Sequence, residues 1–268
     1  MSRLFWFCRI IPLKNNILKW KNQISARRAI IVPPHNNCPG GLAIPGGRGY
    51  LCGAGTIRRA KDMAEKIKNL VFDMGGVLID LDRSRCVAAF TAIGFPQAGD
   101  MLSNYAGLGA LGELEAGQIT PAEFFDRVRL ESGLPLTDAQ ITAALNEFLT
   151  GLPAYKLQML LDLRKRFKVY LLSNTNAVMM PHIRATYFTQ QGLTFDDYFD
   201  RAFLSYEMGS IKPGEEIFCR MMAEGGIRPE ESLFIDDGPA NIETAARLGF
   251  GTYLAKDGED FRHIFDGL

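Results

Sequence analysis

The stretch KNLVFDMGGVLIDLD, residues 68 to 82, decides the fold. Its apolar run 70–72 is followed by Asp73, a Gly-Gly pair and a second apolar run at 77–79. A short run of β-branched and aromatic residues bounded by glycine predicts a buried strand. Asp73 would then lie at the carboxyl end of that strand, where open α/β sheets bind their ligands. Asp73 is therefore the first candidate for chemistry, although Asp and Gly also form ordinary turns.

The charge of the chain is unevenly distributed. The formal net charge of the 268 residues is zero, yet residues 1–61 contain eleven Lys and Arg and neither Asp nor Glu. Residues 62–268 carry the other 19 basic residues and all 30 acidic ones, which gives a formal charge of −11. Binding to nucleic-acid phosphates requires clustered Lys and Arg, so we expect no nucleic-acid partner for this acidic body.

Residues 1–62 form a basic stretch that we interpret as a disordered or dispensable leader outside the fold. Arg9 interrupts its first apolar segment, which argues against a secretory signal, and no run reaches the roughly 18 apolar residues of a membrane span. The Pro-Gly clusters at 39–41 and 45–47 are typical of unstructured sequence, and Met63 precedes the first predicted strand by a few residues. Targeting or an interaction with a partner is the alternative interpretation.

The cysteines suggest a reducing compartment. Only Cys86 and Cys219 belong to the body, and the other three match no metal-binding spacing. Two cysteines are too few for a disulfide framework, so a cytoplasmic location is expected. We further expect a monomer or weak homodimer with no membrane partner.

Apolar runs alternate with amphipathic segments in the second half of the chain. Strands are predicted at 169–172, 203–206, 233–235 and 252–254, and helices at 154–167 and near 178–187, 214–224 and 239–248. Such alternation predicts an α/β fold with a doubly wound, mostly parallel, Rossmann-like sheet that has helices on both faces.

The segment 83–155 has a different pattern. Thr120 and Thr137 each begin a capping box, and the apolar spacing around them predicts about four helices and no strand. We interpret this segment as an all-α helical cap domain inserted into a core domain of residues 63–82 and 156–268. An insertion directly after the first strand would place the cap over the crevice of the sheet.

Three later strands are also followed by polar residues. These are Ser173-Asn174-Thr175-Asn176, Lys212-Pro213 and Asp236-Asp237-Gly238. Taken singly, each has an ordinary structural explanation: a helix N-cap, a solvated surface charge and an Asp-Gly turn. Two adjacent carboxylates repel each other unless a cation or hydrogen-bond donors lie between them, however. The acidic pair therefore favours a metal site.

The order of these motifs resembles that of the haloacid dehalogenase superfamily of hydrolases, most of which are phosphatases. DMGGVLID (73–80), LSNTN (172–176), Lys212-Pro213 and FIDDGPANIETAARLG (234–249) are similar to its four motifs. The resemblance covers residues 68 to 268, and the helical insert resembles the family's cap. Gly75 and the LSNTN string are most similar to the sugar-phosphatase branch that includes bacterial α-glucose-1-phosphatase.

The resemblance implies a phosphatase for a small phosphorylated metabolite, such as a hexose 1-phosphate. Asp73 would be the nucleophile and would form an aspartyl phosphate. A Mg²⁺ ion would be held by Asp73, the Gly75 carbonyl and Asp237, while Asp236 would hold a metal-bound water or lie behind the ligands.

The resemblance also implies residues that bind the substrate. Ser173 and Lys212 would bind the phosphoryl oxygens and stabilise their charge during transfer, together with the backbone of Asn174. Asn176 is a further candidate for contact with the substrate.

One position departs from the family pattern. Phosphatases of the superfamily usually carry Asp two residues after the nucleophile as general acid and base, and this chain has Gly75 there. The candidate replacements are Asp80, Asp82, Asn176, Glu113 and Glu115. Two other functions stay open: a regulator that binds a phosphorylated metabolite with little or no catalysis, and a 2-haloacid dehalogenase, in which the same aspartate attacks carbon without a metal.

Overall fold

The computed structural model describes residues 66–99, 109–189, 192–256, 258–266 and 268. The predicted leader, residues 1–62, lies outside the described residues, as does the part of the predicted cap at 100–108. None of the helices in the described ranges has both the length and the apolar character that crossing a membrane requires.

The chain alternates between strands and helices. The strands are β1 (Asn69–Phe72), β2 (Asp80–Leu81), β3 (Leu149–Gly151), β4 (Lys168–Ser173), β5 (Arg201–Leu204), β6 (Ser232–Asp236) and β7 (Gly251–Leu254). The α-helices are α1 (Arg83–Ala92), α2 (Ala110–Glu115), α3 (Pro121–Ser132), α4 (Asp138–Asn146), α5 (Ala154–Leu163), α6 (Met180–Thr186), α7 (Ser205–Met208), α8 (Glu215–Gly225) and α9 (Pro239–Arg247). The predicted core strands are confirmed to within two residues at each end.

Five of the strands form one parallel sheet in the order β5-β4-β1-β6-β7. The strand β1 is central, and its last residue, Phe72, pairs with Leu171 of β4 on one side and with Ile235 of β6 on the other. The chain leaves β1 for neighbours on both sides, and ligands bind at such a reversal of strand order. Asp73 follows β1 directly, so the topology places it at this point.

Both faces of the sheet are covered. Alternate residues of β1 enter different apolar clusters: Leu70 and Phe72 join one, and Val71 joins the other. Helices α5 and α6 contribute to the first cluster, and α8 and α9 contribute to the second. Burial on both faces explains why the strands are continuous apolar runs. The prediction of a doubly wound parallel sheet is confirmed.

The capping boxes predicted at Thr120 and Thr137 are present. The Thr120 hydroxyl accepts a hydrogen bond from the Glu123 N–H, and the Glu123 carboxylate accepts one from the Thr120 N–H at 2.7 Å. Thr137 and Gln140 repeat the arrangement at the start of α4. Each box satisfies N–H groups that a helix leaves without partners in its first turn.

The prediction that residues 83–155 contain no strand is wrong. Strand β3 pairs antiparallel with β2, and the Thr150 hydroxyl donates to the Asp80 carbonyl at 2.9 Å. A strand of three residues is too short to give a periodic pattern, which is why the sequence did not reveal it. The β2–β3 pair joins the chain where it enters the helical segment to the chain where it leaves.

The division into core and cap stays a prediction. One apolar cluster contains Phe90 and Phe124 from the predicted cap together with Phe72 and Leu171 from the sheet. The two predicted domains therefore share apolar contacts within the described residues.

We expect Thr120→Ala to lower the free energy of unfolding by about 1 kcal/mol, because a helix start loses its side-chain cap. Urea unfolding of the full chain measures the change. Thr91→Ala is the matched control, since Thr91 lies in α1 and is exposed, and its hydroxyl donates to the Val87 carbonyl of the same helix. Alanine is the better helix former there, so no loss is expected. Equal losses in the two variants would contradict the capping interpretation.

Candidate active site

The predicted site residues converge at the carboxyl edge of the sheet. Asp73 follows β1, Ser173 is the last residue of β4, and Asp236 is the last residue of β6. The Asp73 N–H donates to the Ile235 carbonyl at 2.9 Å, which continues the ladder between β1 and β6 by one residue. Parallel pairing thus brings Ser173 and Asp236, which lie 100 and 163 positions after Asp73 in the chain, to the same edge of the sheet as Asp73.

Lys212 is the centre of the charged cluster. Its ammonium Nζ lies 2.9 Å from Asp73 Oδ1 and 2.7 Å from Asp236 Oδ2. The side chain of Lys212 is only 1% exposed, so the interpretation as a solvated surface charge is wrong. Burial alone would lower the pKa of Lys212, but the charges of Asp236 and Asp73 raise it above its ordinary value. The lysine is therefore charged and holds two carboxylates together.

Asn174 positions the backbone of Lys212. Its Oδ1 accepts from the Lys212 N–H at 2.9 Å, and its Nδ2 donates to the Lys212 carbonyl at 2.9 Å. Both ends of the carboxamide are thus engaged, so any contact of Asn174 with a ligand falls to its backbone. The peptide bond between Lys212 and Pro213 is cis.

Three carboxylates lie within reach of one cation. Asp73, Asp236 and Asp237 each offer an oxygen, and these three oxygens lie within 4.8 Å of one another. The pKa of Asp73 is raised to about 7, chiefly by burial and in smaller part by the charges of Asp236 and Asp237, against the opposing effect of Lys212. The negative charge exceeds what one lysine neutralises, and hard carboxylate oxygens are the ligands that Mg²⁺ prefers. The residues present fit a magnesium ion.

Asp236 differs from the other two acids because its oxygens are already used. Its side chain is fully buried, and its Oδ1 accepts from the Gly238 N–H at 2.7 Å and from Asn241 Nδ2 at 2.8 Å. Its Oδ2 accepts from Lys212. This arrangement favours the expectation that Asp236 lies behind the metal ligands and holds Lys212.

Gly76 allows Asp237 to approach β1. It has a φ angle of +72°, and a Cβ atom at this position would lie 2.2 Å from Asp237 Oδ2. Any side chain at position 76 would thus both strain the backbone and displace the carboxylate. Glycine is required here by space as well as by conformation.

A cavity of about 50 Å³ opens beside these residues. Its polar lining comes from Ser173, Asn174, Thr175, Asn176 and Glu115, and its apolar lining includes Leu111, Leu145 and Phe148. Gly75 also borders the cavity. The volume suffices for a few water molecules. The cavity thus lies between the tip of β4 and helices of the predicted cap.

The side-chain NH2 group of Asn176 is available for a ligand. Its Oδ1 accepts from the N–H groups of Val178 and Met179, in the turn before α6. The N-cap of α6 is Met179, which makes no side-chain cap, so the N-cap interpretation is wrong for Asn176. Its Nδ2 is buried and has no hydrogen-bond partner among the described residues. A buried donor without a partner costs about 1–3 kcal/mol unless a ligand or water completes it. The contact of Asn176 with substrate stays a prediction that this geometry favours.

The structure separates the candidate replacements for the missing acid. Asp82 caps α1, Asp80 accepts from Lys156 at 3.2 Å, and Glu113 pairs with Arg127 at 2.6 Å. Glu115 alone among the four acids lines the cavity. The sequence could not rank them, because that depends on which way each side chain projects after packing.

We expect Gly76→Ala to reduce the rise in melting temperature that Mg²⁺ produces, because the new Cβ displaces Asp237. Gly133→Ala is the matched control: it also has a positive φ, +68°, but nothing lies within 4 Å of its Cβ. The control should lose about 1 kcal/mol of stability from backbone strain alone and keep the full response to Mg²⁺. A normal Mg²⁺ response in Gly76→Ala would place the cation elsewhere.

Comparison with known sequences agrees with this geometry. The family model described as haloacid dehalogenase-like hydrolase matches residues 67–249, which include every predicted site residue. D-ribitol-5-phosphate phosphatase of Bacteroides thetaiotaomicron is 39% identical over 196 residues, which cover 73% of this chain and 95% of that protein.

Solved structures give the same result. A HAD family enzyme of Bacteroides thetaiotaomicron, crystallised with magnesium and inorganic phosphate, has a TM-score of 0.71 and 45% identity over 74% of this chain and 99% of that chain. A HAD-like family hydrolase of Porphyromonas gingivalis has a TM-score of 0.69 and 41% identity over 73% and 94% of the two chains. The predicted fold and family are confirmed: the chain belongs to the haloacid dehalogenase-like hydrolases.

Proposed function

We propose that this protein hydrolyses the phosphate ester of a small sugar or sugar alcohol through an aspartyl phosphate formed on Asp73. It is a phosphoric monoester hydrolase with Mg²⁺ as its cofactor. The observation that carries the proposal is the position of Asp73, which is held by Lys212 at 2.9 Å and shares a cation-sized site with two other carboxylates. The relatives support it: one is a ribitol-phosphate phosphatase, and another was crystallised with magnesium and phosphate.

The chain's own groups orient the nucleophile. Asp73 Oδ1 accepts from Lys212 Nζ and from the Met74 N–H at 2.7 Å, so the carboxylate has a fixed direction before a substrate arrives. Lys212 and Ser173 would then contact the phosphoryl oxygens, on which negative charge is spread during transfer. Donors that are already in place stabilise that charge without reorganising.

The cation site fits the same reaction. Asp73, Asp237 and the Gly75 carbonyl would hold Mg²⁺, while Asp236 keeps Lys212 in position. When bound, the ion reduces the repulsion between an anionic nucleophile and a dianionic phosphate. This need distinguishes a phosphatase from a dehalogenase, because displacement of halide from carbon involves no such repulsion.

The small volume of the cavity favours a small substrate. Ligand pockets usually measure about 300–1,000 Å³, whereas this cavity measures about 50 Å³. The organic part of the substrate must therefore separate the predicted cap from the strand tips when it enters. Both a hexose 1-phosphate and a pentitol 5-phosphate are small enough phosphate esters of this kind. We expect the enzyme to act in the cytoplasm as a monomer or weak homodimer.

We expect Asp73→Asn to abolish phosphate release while the protein stays folded, because the amide keeps the shape but is not a nucleophile. A panel of sugar and sugar-alcohol phosphates measures turnover. Single turnover in water enriched in oxygen-18 should place the heavy oxygen in the phosphate released by the wild-type protein, because water attacks phosphorus and not the carboxyl carbon of Asp73. Asp126→Asn is the control, since Asp126 is exposed and, in the part of the chain that the structure describes, pairs with Arg129 alone. Retained turnover in Asp73→Asn would refute the proposal.

We expect a chelator to abolish phosphate release and added Mg²⁺ to restore it. In the same experiment Mg²⁺ should stabilise the wild-type protein by about 2.7 kcal/mol at one hundred times Kd, and should stabilise Asp237→Asn much less. Release of halide from a 2-haloacid in the presence of chelator would support a dehalogenase instead. Ligand binding with no phosphate release from any ester would support a regulator.

A further inference from the structure

The position that normally carries the general acid is occupied by Gly75 and is closely packed in this fold. A Cβ atom on Gly75 would lie 2.9 Å from Leu81 Cδ1, so even an alanine requires Leu81 to shift. Glycine at position 75 is therefore compatible with the packing of Leu81, in β2, against the loop after β1, and it supplies no proton donor. A proton donor for the leaving group must come from another element.

We propose that Glu115, at the end of α2, is the catalytic acid and base that replaces the missing carboxyl at position 75. The proposal rests on the phosphatase function proposed above and extends it to the leaving group.

The surroundings of Glu115 carry the proposal. Its side chain is buried and lines the same cavity as Gly75 and Ser173. Within the described ranges no hydrogen bond or ion pair of the Glu115 carboxyl group is found, whereas Glu113, two residues earlier, pairs with Arg127 at 2.6 Å. A largely buried carboxyl group is costly without hydrogen bonds, and a ligand or water in the cavity that Glu115 lines would supply them.

Close packing fixes Glu115 above the strand tips. Gly117 follows α2 with a φ of +65°, and a Cβ atom there would lie 2.2 Å from the Tyr206 carbonyl oxygen. Tyr206 belongs to α7, which continues directly from β5. Helix α2 also contacts α7. The turn after α2 therefore rests on the backbone of the core, and this contact keeps Glu115 at the cavity.

The electrostatics suit a group that both gives and takes a proton. The pKa of Glu115 is raised to about 7, first by burial and then by the charge of Asp73, while Lys212 opposes the increase. Acid and base catalysis is most effective when the pKa lies near the working pH. Asp73 and Lys212 are the charged groups that influence Glu115, and both belong to the site.

The proton balance closes over one cycle. In the first step a carboxylate oxygen of Asp73 bonds to phosphorus, the bond from phosphorus to the ester oxygen breaks, and protonated Glu115 transfers its proton to that oxygen. In the second step water attacks phosphorus, the bond to Asp73 breaks, and the Glu115 carboxylate takes a proton from the water. The products are an alcohol and phosphate, and Glu115 is protonated again.

This assignment implies a substrate class. A primary alkoxide is a poor leaving group, so an ester such as a pentitol 5-phosphate requires a proton at the bridging oxygen. An enzyme without an acid would be restricted to leaving groups that depart as anions. Glu115 therefore extends the reaction to primary sugar-alcohol phosphates.

The test compares two esters in Glu115→Gln of the full chain. With D-ribitol 5-phosphate, kcat/KM should fall by about 10²–10⁴-fold, because the leaving alkoxide no longer receives a proton. With p-nitrophenyl phosphate, kcat/KM should change little, because p-nitrophenolate departs without one. The kcat for p-nitrophenyl phosphate should nevertheless fall, with a burst of about one equivalent of p-nitrophenolate, because hydrolysis of the aspartyl phosphate lacks its base.

Two controls keep the outcomes separate. Glu113→Gln makes the same change two residues away and should leave both esters unaffected. Gly117→Ala keeps the Glu115 carboxyl group but displaces it. It should therefore lower kcat/KM for the sugar-alcohol ester more than for the aryl ester. This variant replaces Glu115→Gln as the test if Glu115→Gln does not fold. Equal losses on both esters, or no loss on ribitol phosphate, would overturn the role of Glu115. Activity that survives in Asp73→Asn would instead overturn the proposed function.

Discussion

One buried ammonium group holds the site together. Lys212 Nζ lies 2.9 Å from Asp73 and 2.7 Å from Asp236, and all three side chains are almost fully buried. Removing any one of these charges from water costs several kcal/mol, and the cost is tolerable only because the opposite charges are in contact. The tips of β1 and β6 and the loop that carries Lys212 therefore form one electrostatic unit. The three carboxylates that could hold a cation include both partners of this lysine.

The sequence predicted the sheet well because its strands are buried on both faces. Leu70, Val71 and Phe72 have no exposed surface, so the pattern was a continuous apolar run with a clear end at Asp73. The strands β4 and β6 also end in polar residues, Ser173 and Asp236, and parallel topology brought these to the same edge as Asp73. The convergence of distant motifs followed from strand order alone.

Other features were set by packing that no local pattern records. Lys212 alone resembled a surface lysine, and only the fold buries it between two acids. Glu113 and Glu115 lie on one short helix, yet one pairs with Arg127 while the other lines the cavity. Strand β3 depends on its partner β2 and is too short to be recognised by itself. Tertiary contacts decided these cases.

The two hydrogen bonds between the Asn174 side chain and the Lys212 backbone have a broader consequence. They fasten the loop after β4 to the loop after α7, so neither loop can shift without carrying the other. Changes in substrate preference are then most easily accommodated on the helical side of the cavity, where Leu111, Leu145 and Phe148 form the wall. The two loops that carry Asn174 and Lys212 are held in a fixed relative position. Residues on the opposite wall of the cavity can therefore differ without moving these loops.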